Sequence, residues 1–172
     1  MVADLEKERQ RVEADERELV LDAFTNEDAL ELGLALAERA RLGRLAIAID
    51  VERCGLRLFH FAAAGATPDN AAWIERKKRL VQRLFRSSYA VGLELAVQGK
   101  TLAERLGVPS EAFAAHGGCF PLKVRGVGFV GTVTVSGLPQ KEDHDLVVGA
   151  LRELIERRRA SGSTRLGQSP SD

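Results

Sequence analysis

The chain has 172 residues, 25 basic against 25 acidic side chains and 45% hydrophobic content, which fits one ordinary domain that needs neither metal nor disulfides to fold. Two cysteines, Cys54 and Cys119, are too few for a secreted disulfide scaffold and form no C-x-x-C pair. The charged start Met-Val-Ala-Asp-Leu-Glu-Lys-Glu and the lack of an apolar run near ~18 residues predict a cytoplasmic protein with no membrane span, and zero formal charge argues against nucleic-acid partners.

Residues 1–24 are charge-dense, with Leu5, Val12 and Leu19 seven apart. This spacing predicts a helix with a seam too narrow for a coiled coil, docked on its own domain or on a neighbouring subunit. Thr25 with Asp28 is a capping box opening a second helix through Leu30, Leu34 and Ala37, which Gly43 stops. Leu45, Ile47, Ile49 and Val51 alternate with small or acidic residues as a strand, and Leu56–Phe61 follows as its hairpin partner.

Thr67-Pro68-Asp69-Asn70 starts a helix carrying Trp73, Leu80, Val81 and Leu84, with a basic opposite face. Ser87 and Ser88 cap another helix ended by Gly99, and Thr101 with Glu104 forms a further capping box. Phe120–Val124 and Val127–Val135 read as a second hairpin turning at Gly126, and Leu146–Ile155 as the last amphipathic helix. From Ala160 on, the chain carries too little apolar surface to offset ordering entropy, so residues 160–172 are expected to form a disordered tail. Two hairpins separated by helices predict an α+β topology, an antiparallel sheet layered α/β/α.

Three constellations carry candidate chemistry. His116-Gly117-Gly118-Cys119 pairs a titratable ring with two glycines at a strand entry, where a turn is the simpler reading. Ser136-Gly137-Leu138-Pro139 ends a strand at a helix start, a place where amide donors attract anions, although Glu142, Asp143 and Asp145 supply negative charge there. His144 among those acids is either a proton-transfer group or a solvated cap. The third is Trp73 with Arg76, Lys77 and the basic residues that follow, a grip for phosphate or propionate or else a solvated, ion-paired face. His60 points away from Phe59 and Phe61, beside Leu56 and Leu58, where a buried histidine is expected. No metal-ligand spacing, Walker loop or nucleophile–base pair is present in the sequence, and whether the chain is an enzyme stays open.

Taken together, His60 with its flanking phenylalanines, Thr67-Pro68-Asp69-Asn70, Trp73 with Arg76 and Lys77, Ser87-Ser88-Tyr89, His116-Gly117-Gly118-x-Phe120-Pro121 and Gly131-Thr-Val-Thr-Val-Ser-Gly-Leu-Pro-Gln with Asp143-His144 resemble a cytoplasmic branch of the haem-degrading protein family. The resemblance spans about residues 25–155, within a domain set at residues 25–159 behind the 1–24 helix. One departure is Cys119, where serine is expected. The wider family includes GlcG-like proteins, the haem-binding sensor HbpS and the C-terminal domain of PduO-type proteins. It implies a profilin-like, three-layer α/β/α fold with a central antiparallel sheet of about five strands, assembled as a homo-oligomer in a ring or dihedral arrangement.

The expected function is small-ligand binding, with haem or a related tetrapyrrole as the ligand the resemblance implies. Candidate binding residues are His60, Trp73, Arg76, Lys77, His116, Gly117, Gly118, Ser136, Gly137 and His144. The alternatives are an oligomeric interaction scaffold without catalytic activity and, third, a histidine-dependent hydrolase.

Overall fold

The computed structural model describes residues 2–165, with side chains through 161. Helices α1 (Val2–Glu18) and α2 (Asn26–Gly43) precede the hairpin β1 (Ala48–Arg53) and β2 (Leu56–Ala62). Helices α3 (Pro68–Leu84), α4 (Ser88–Gln98) and α5 (Leu102–Leu106) lead to the second hairpin, β3 (Cys119–Val124) and β4 (Gly128–Ser136), and α6 (Gln140–Arg165) closes the order. The strands form one antiparallel sheet in the order β2-β1-β4-β3.

Local chemistry accounts for these boundaries. Thr25 accepts from the Asp28 amide while the Asp28 carboxylate accepts from the Thr25 amide, and Thr101 with Glu104 repeats that reciprocal box at α5. Ser87 caps α4, which ends at Gly99 in the left-handed region. The β1–β2 turn is two residues, Cys54 and Gly55, both at positive φ (50° and 80°), the geometry whose twist matches that of the flanking strands.

The sheet has one apolar and one polar face. Ile49, Val51, Val133, Val135, Phe120 and Leu122 are buried in a core shared with residues of α2 and α6, and each side chain removed from water there contributes about 1.5–3 kcal/mol. The register places Asp50, Thr134 and Cys119 side by side on the opposite face, towards α3. Helix α1 docks on its own domain, Val12 packing with Tyr89, Ala90 and Leu93 of α4.

The expectation of about five strands is corrected to four among the described residues. Leu21 runs parallel to the outer edge of β3, its amide donating to the Lys123 carbonyl and its own carbonyl accepting from the Arg125 amide, but the pairing stops after one bridge. Helix α6 continues into the segment expected to be disordered as far as Arg165, and residues 166–172 lie outside the described part.

Candidate functional site

The two lysines of α3 set up the polar face. Successive residues on a helix project about 100° apart. Lys77 and Lys78 therefore diverge, and both are buried. Lys78 reaches Asp50 (3.1 Å) and Glu52 (2.6 Å); although burial opposes its charge, these carboxylates raise its pKa above the ordinary value. Asp50 is fully buried and meets Lys78 and Arg57 as ion pairs rather than aligned hydrogen bonds, with the His60 ring beside it.

Lys77 turns towards the β4–α6 junction. Its Nζ donates to the Val135 carbonyl and to Asp143 Oδ2, each at 3.0 Å. The same Asp143 carboxylate accepts from the amides of Gly137 (3.3 Å) and Leu138 (3.0 Å). Burial lifts the Asp143 pKa above its ordinary value, opposed by the Lys77 charge and these hydrogen bonds. The Ser-Gly-Leu turn is thus pinned to α3 through one buried ion pair.

Against this junction lies the His116-Gly117-Gly118 loop. A Cβ on Gly117 would stand 1.9 Å from the Gln140 carbonyl oxygen, and one on Gly118, at φ +118°, 2.3 Å from the Val135 carbonyl. The glycine pair therefore serves close backbone packing, which brings His116 to the rim of a polar cavity of about 230 Å³. Trp73, Lys77, His116, Gly117, Ser136 and Gly137 all line it, with Asp69, Asn70, Gln140 and Asp143. His116 packs edge-on to the Trp73 ring at 4.9 Å, and the Arg76 guanidinium lies over that indole group at 4.1 Å.

His116 also borders a second, larger hollow of about 350 Å³, lined by Leu95, Ala96, Leu102 and Phe113 with Arg76 and Lys100. Partial burial and the charges of Lys77 and Arg76 lower the His116 pKa below 6.5, so its ring is neutral at pH 7. One histidine therefore separates a polar cavity from a largely apolar groove.

The structure does not bring the other two histidines here. His60 is exposed rather than buried. The register shift between Val51 and Glu52 pushes Leu58 to the core side, and α3 lies over β4, β3 and β1, leaving the β2 edge open. His60 Nδ1 lies 3.5 Å from Asp50. His144, read from the sequence as either a proton-transfer group or a solvated cap, is instead fully buried. It packs beside Tyr89 and Phe120 with neither ring nitrogen hydrogen-bonded, and burial drives its pKa down to about 4.

The alternative of an ion-paired or solvated face describes the basic residues that follow Trp73: Lys77 and Lys78 pair with acids on the sheet and at α6, Arg86 pairs with Glu13 and Glu16 of α1, and Arg79 and Arg83 are exposed; what departs from it is that Lys77 and Lys78 are buried. In the sequence Asn70 reads as a helix-start residue and Asp143 as a dipole partner; the structure makes both part of the cavity lining. The sequence signal for Asp143 was its place just after a Ser-Gly-Leu-Pro turn, where a carboxylate can reach back to free amides. Cys119 is a core thiol, pushed up to about 12 by burial, with Thr134 donating to its sulfur at 3.0 Å.

The sequence pattern of the haem-degrading HbpS-like proteins matches residues 24–152. The chain belongs to that family. A UPF0303 protein of Streptomyces coelicolor is 52% identical over 144 residues, covering 84% of this chain and 91% of the relative. One from Rhizobium meliloti is 46% identical over 151 residues, covering 88% and 92%. Among solved structures, the Ybr137w protein superposes with a TM-score of 0.80 at 31% identity, over 87% of this chain and 88% of that one. HbpS (TM-score 0.60, 22% identity, 77% and 89% covered) and a PduOC–haem complex (0.63, 17%, 76% and 94%) share the fold. Among the described residues no helix is long and apolar enough to cross a membrane.

Proposed function

We propose that this protein binds haem or a related tetrapyrrole in the groove beside His116, and that it works as a homo-oligomer. The observation that carries the reading is the position of His116 between the two hollows. Haem needs a neutral imidazole for its iron, an apolar surface for the macrocycle and cations for its propionates. The groove fits each requirement: His116 has a lowered pKa, Leu95, Leu102 and Phe113 supply the apolar wall, and Arg76 and Lys100 supply positive charge. The neighbouring polar cavity, at about 230 Å³, is below the usual ~300–1,000 Å³ range of ligand pockets and is the wrong chemistry for a porphyrin face. The family and the haem-bound PduOC structure support the ligand class. Bound haem would supply a redox-active iron centre. The chain's own residues bind it, orient it through His116 and neutralise its carboxylates.

Haem titration followed by Soret absorbance tests this reading. Saturation is expected, with His116→Ala weakening binding at least tenfold and His60→Ala leaving it unchanged. No saturable Soret change, or full binding by His116→Ala, would remove His116 from the function.

The oligomer reading rests on the surface around β2. Its outer edge has no strand partner among the described residues, and Leu30, Leu34 and Phe61 near it are 44%, 55% and 40% exposed. Arg57 and the register shift beside Leu58 guard only the first half of this edge, and residues 59–62 carry no proline, lysine or arginine to oppose pairing with another chain.

A further inference from the structure

We propose that α5 is a hinged lid on the groove beside His116, and that its opening widens the groove to admit the ligand. The ligand rests on the haem reading above, whereas the motion of the lid rests on the fold alone.

The groove as it stands is small for a tetrapyrrole. Its volume of about 350 Å³ lies at the low end of the usual ~300–1,000 Å³ range of ligand pockets, and a tetrapyrrole is larger than the drug-sized molecules that such pockets enclose. Space of the right chemistry lies next to it. Leu80 and Val91 are fully buried and Leu95 nearly so, and the residues packed over this apolar patch include Leu102 and Leu106 of α5. Leu95 and Leu102 also line the groove, so the patch continues its apolar wall. Turning α5 outward would join the two.

Helix α5 is able to move as a unit. None of its residues is fully buried. Thr101 and Glu104 satisfy each other's amides, and the Arg105 and Gly107 amides donate to the Thr101 and Ala103 carbonyls, so these hydrogen bonds travel with the segment. Among the described residues its polar tie to the rest of the domain is a partly exposed ion pair, Arg105 with Glu94 of α4 at 2.9 Å. An element with few buried apolar contacts opens at low cost, and an ion pair of this kind adds little.

The segment hangs between two glycines. Gly99 follows α4 at φ +63° and Gly107 follows α5 at φ +65°, and a Cβ on either would meet nothing within 4 Å, so the chain has room to turn at both ends. The flanks beyond them are fixed. On one side α4 contributes Val91 and Leu95 to the buried cluster. On the other, Val108 is buried and the loop after it is pinned to α3. There Arg76 donates to the Ser110 carbonyl (2.7 Å), Arg79 to that of Ala112 (3.1 Å), and the Ala114 amide to the carbonyl of Arg76 (3.2 Å). That contrast confines the motion to α5.

The test traps the opening without any ligand. In the full chain carrying Cys54→Ser, Val91→Cys places a thiol beneath the lid, and the native Cys119, fully buried in the sheet, reports global unfolding. The Val91→Cys thiol is expected to react with a thiol reagent at least about tenfold faster than Cys119. Adding Leu106→Ala, which loosens the lid at a position outside the groove lining, is expected to raise that rate about fivefold and leave Cys119 unchanged. Haem association, followed by stopped-flow Soret absorbance, is expected to quicken by the same factor in Leu106→Ala alone. Equal reactivity of the two thiols, a Leu106→Ala effect that moves both together, or unaltered haem association in a variant that binds haem would overturn the proposal. If Val91→Cys does not fold, hydrogen exchange of the parent decides: the Arg105 and Gly107 amides are expected to exchange at least about tenfold faster than the hydrogen-bonded amides of α4, and equal rates would overturn the lid. A lid that opens in a protein without a Soret change would support the motion and remove haem as its ligand, so the two failures are separate results.

Discussion

His144 is the side chain whose energetics are most directly measurable. Its ring is fully buried among aromatic groups with no hydrogen bond, so it is held neutral and its pKa falls from 6.5 to about 4. The unfolded chain takes up a proton below pH 6.5 that the folded chain refuses until about pH 4. Stability from this residue is therefore complete above pH 6.5 and is lost as pH falls towards 4. At pH 4.5 the loss is on the order of 2.5 kcal/mol. His144→Leu should lose less stability than the parent between pH 7.5 and 4.5 by that amount in urea unfolding; equal losses would show that the ring is not held neutral. Lys77 makes a second residue-scale case. Lys77→Met leaves the Asp143 carboxylate buried without its cation and should cost about 3–5 kcal/mol, whereas Lys77→Met with Asp143→Asn should recover part of it.

At the scale of elements, α1 is held by a thin apolar contact and many ion pairs. Val12 is its buried anchor on α4, and Arg11–Asp145 (2.8 Å), Arg152–Asp15 (2.7 Å) and Arg86–Glu13 (3.1 Å) tie it to the domain. Such partly exposed pairs contribute little each and weaken with salt. Val12→Ala should raise hydrogen exchange of the α1 amides far more than that of β1 or β4, and added salt should enlarge the difference; uniform exchange across the chain would mean that α1 unfolds only with the core. Helix caps, both hairpins and the α4 boundaries were legible in the sequence because each is written within a few residues. The fate of Lys77, Lys78 and His60 was not, because it depends on which distant acids the sheet places beneath α3 and on a one-residue register shift beside Leu58. The His116-Gly117-Gly118 and Ser136-Gly137 motifs were visible as local signals. That they face one another across one cavity follows only from the β3–β4 pairing and the Lys77–Asp143 tether.

For the whole molecule, the four-stranded sheet leaves β2 as an open edge while Leu21 guards β3. Light scattering should give a multiple of the 18.7 kDa chain mass, and Phe61→Lys with Leu34→Glu should reduce it without unfolding the protein. A parent protein of single-chain mass would remove the oligomer from the account. The assignment of a tetrapyrrole to the apolar side of His116 depends first on where iron sits. Anomalous diffraction at the iron edge from crystals of haem-loaded protein locates it directly. The expected result is one iron peak per chain in bonding contact with a His116 ring nitrogen; a peak at His60 or His144, or none on any histidine, would contradict the assignment.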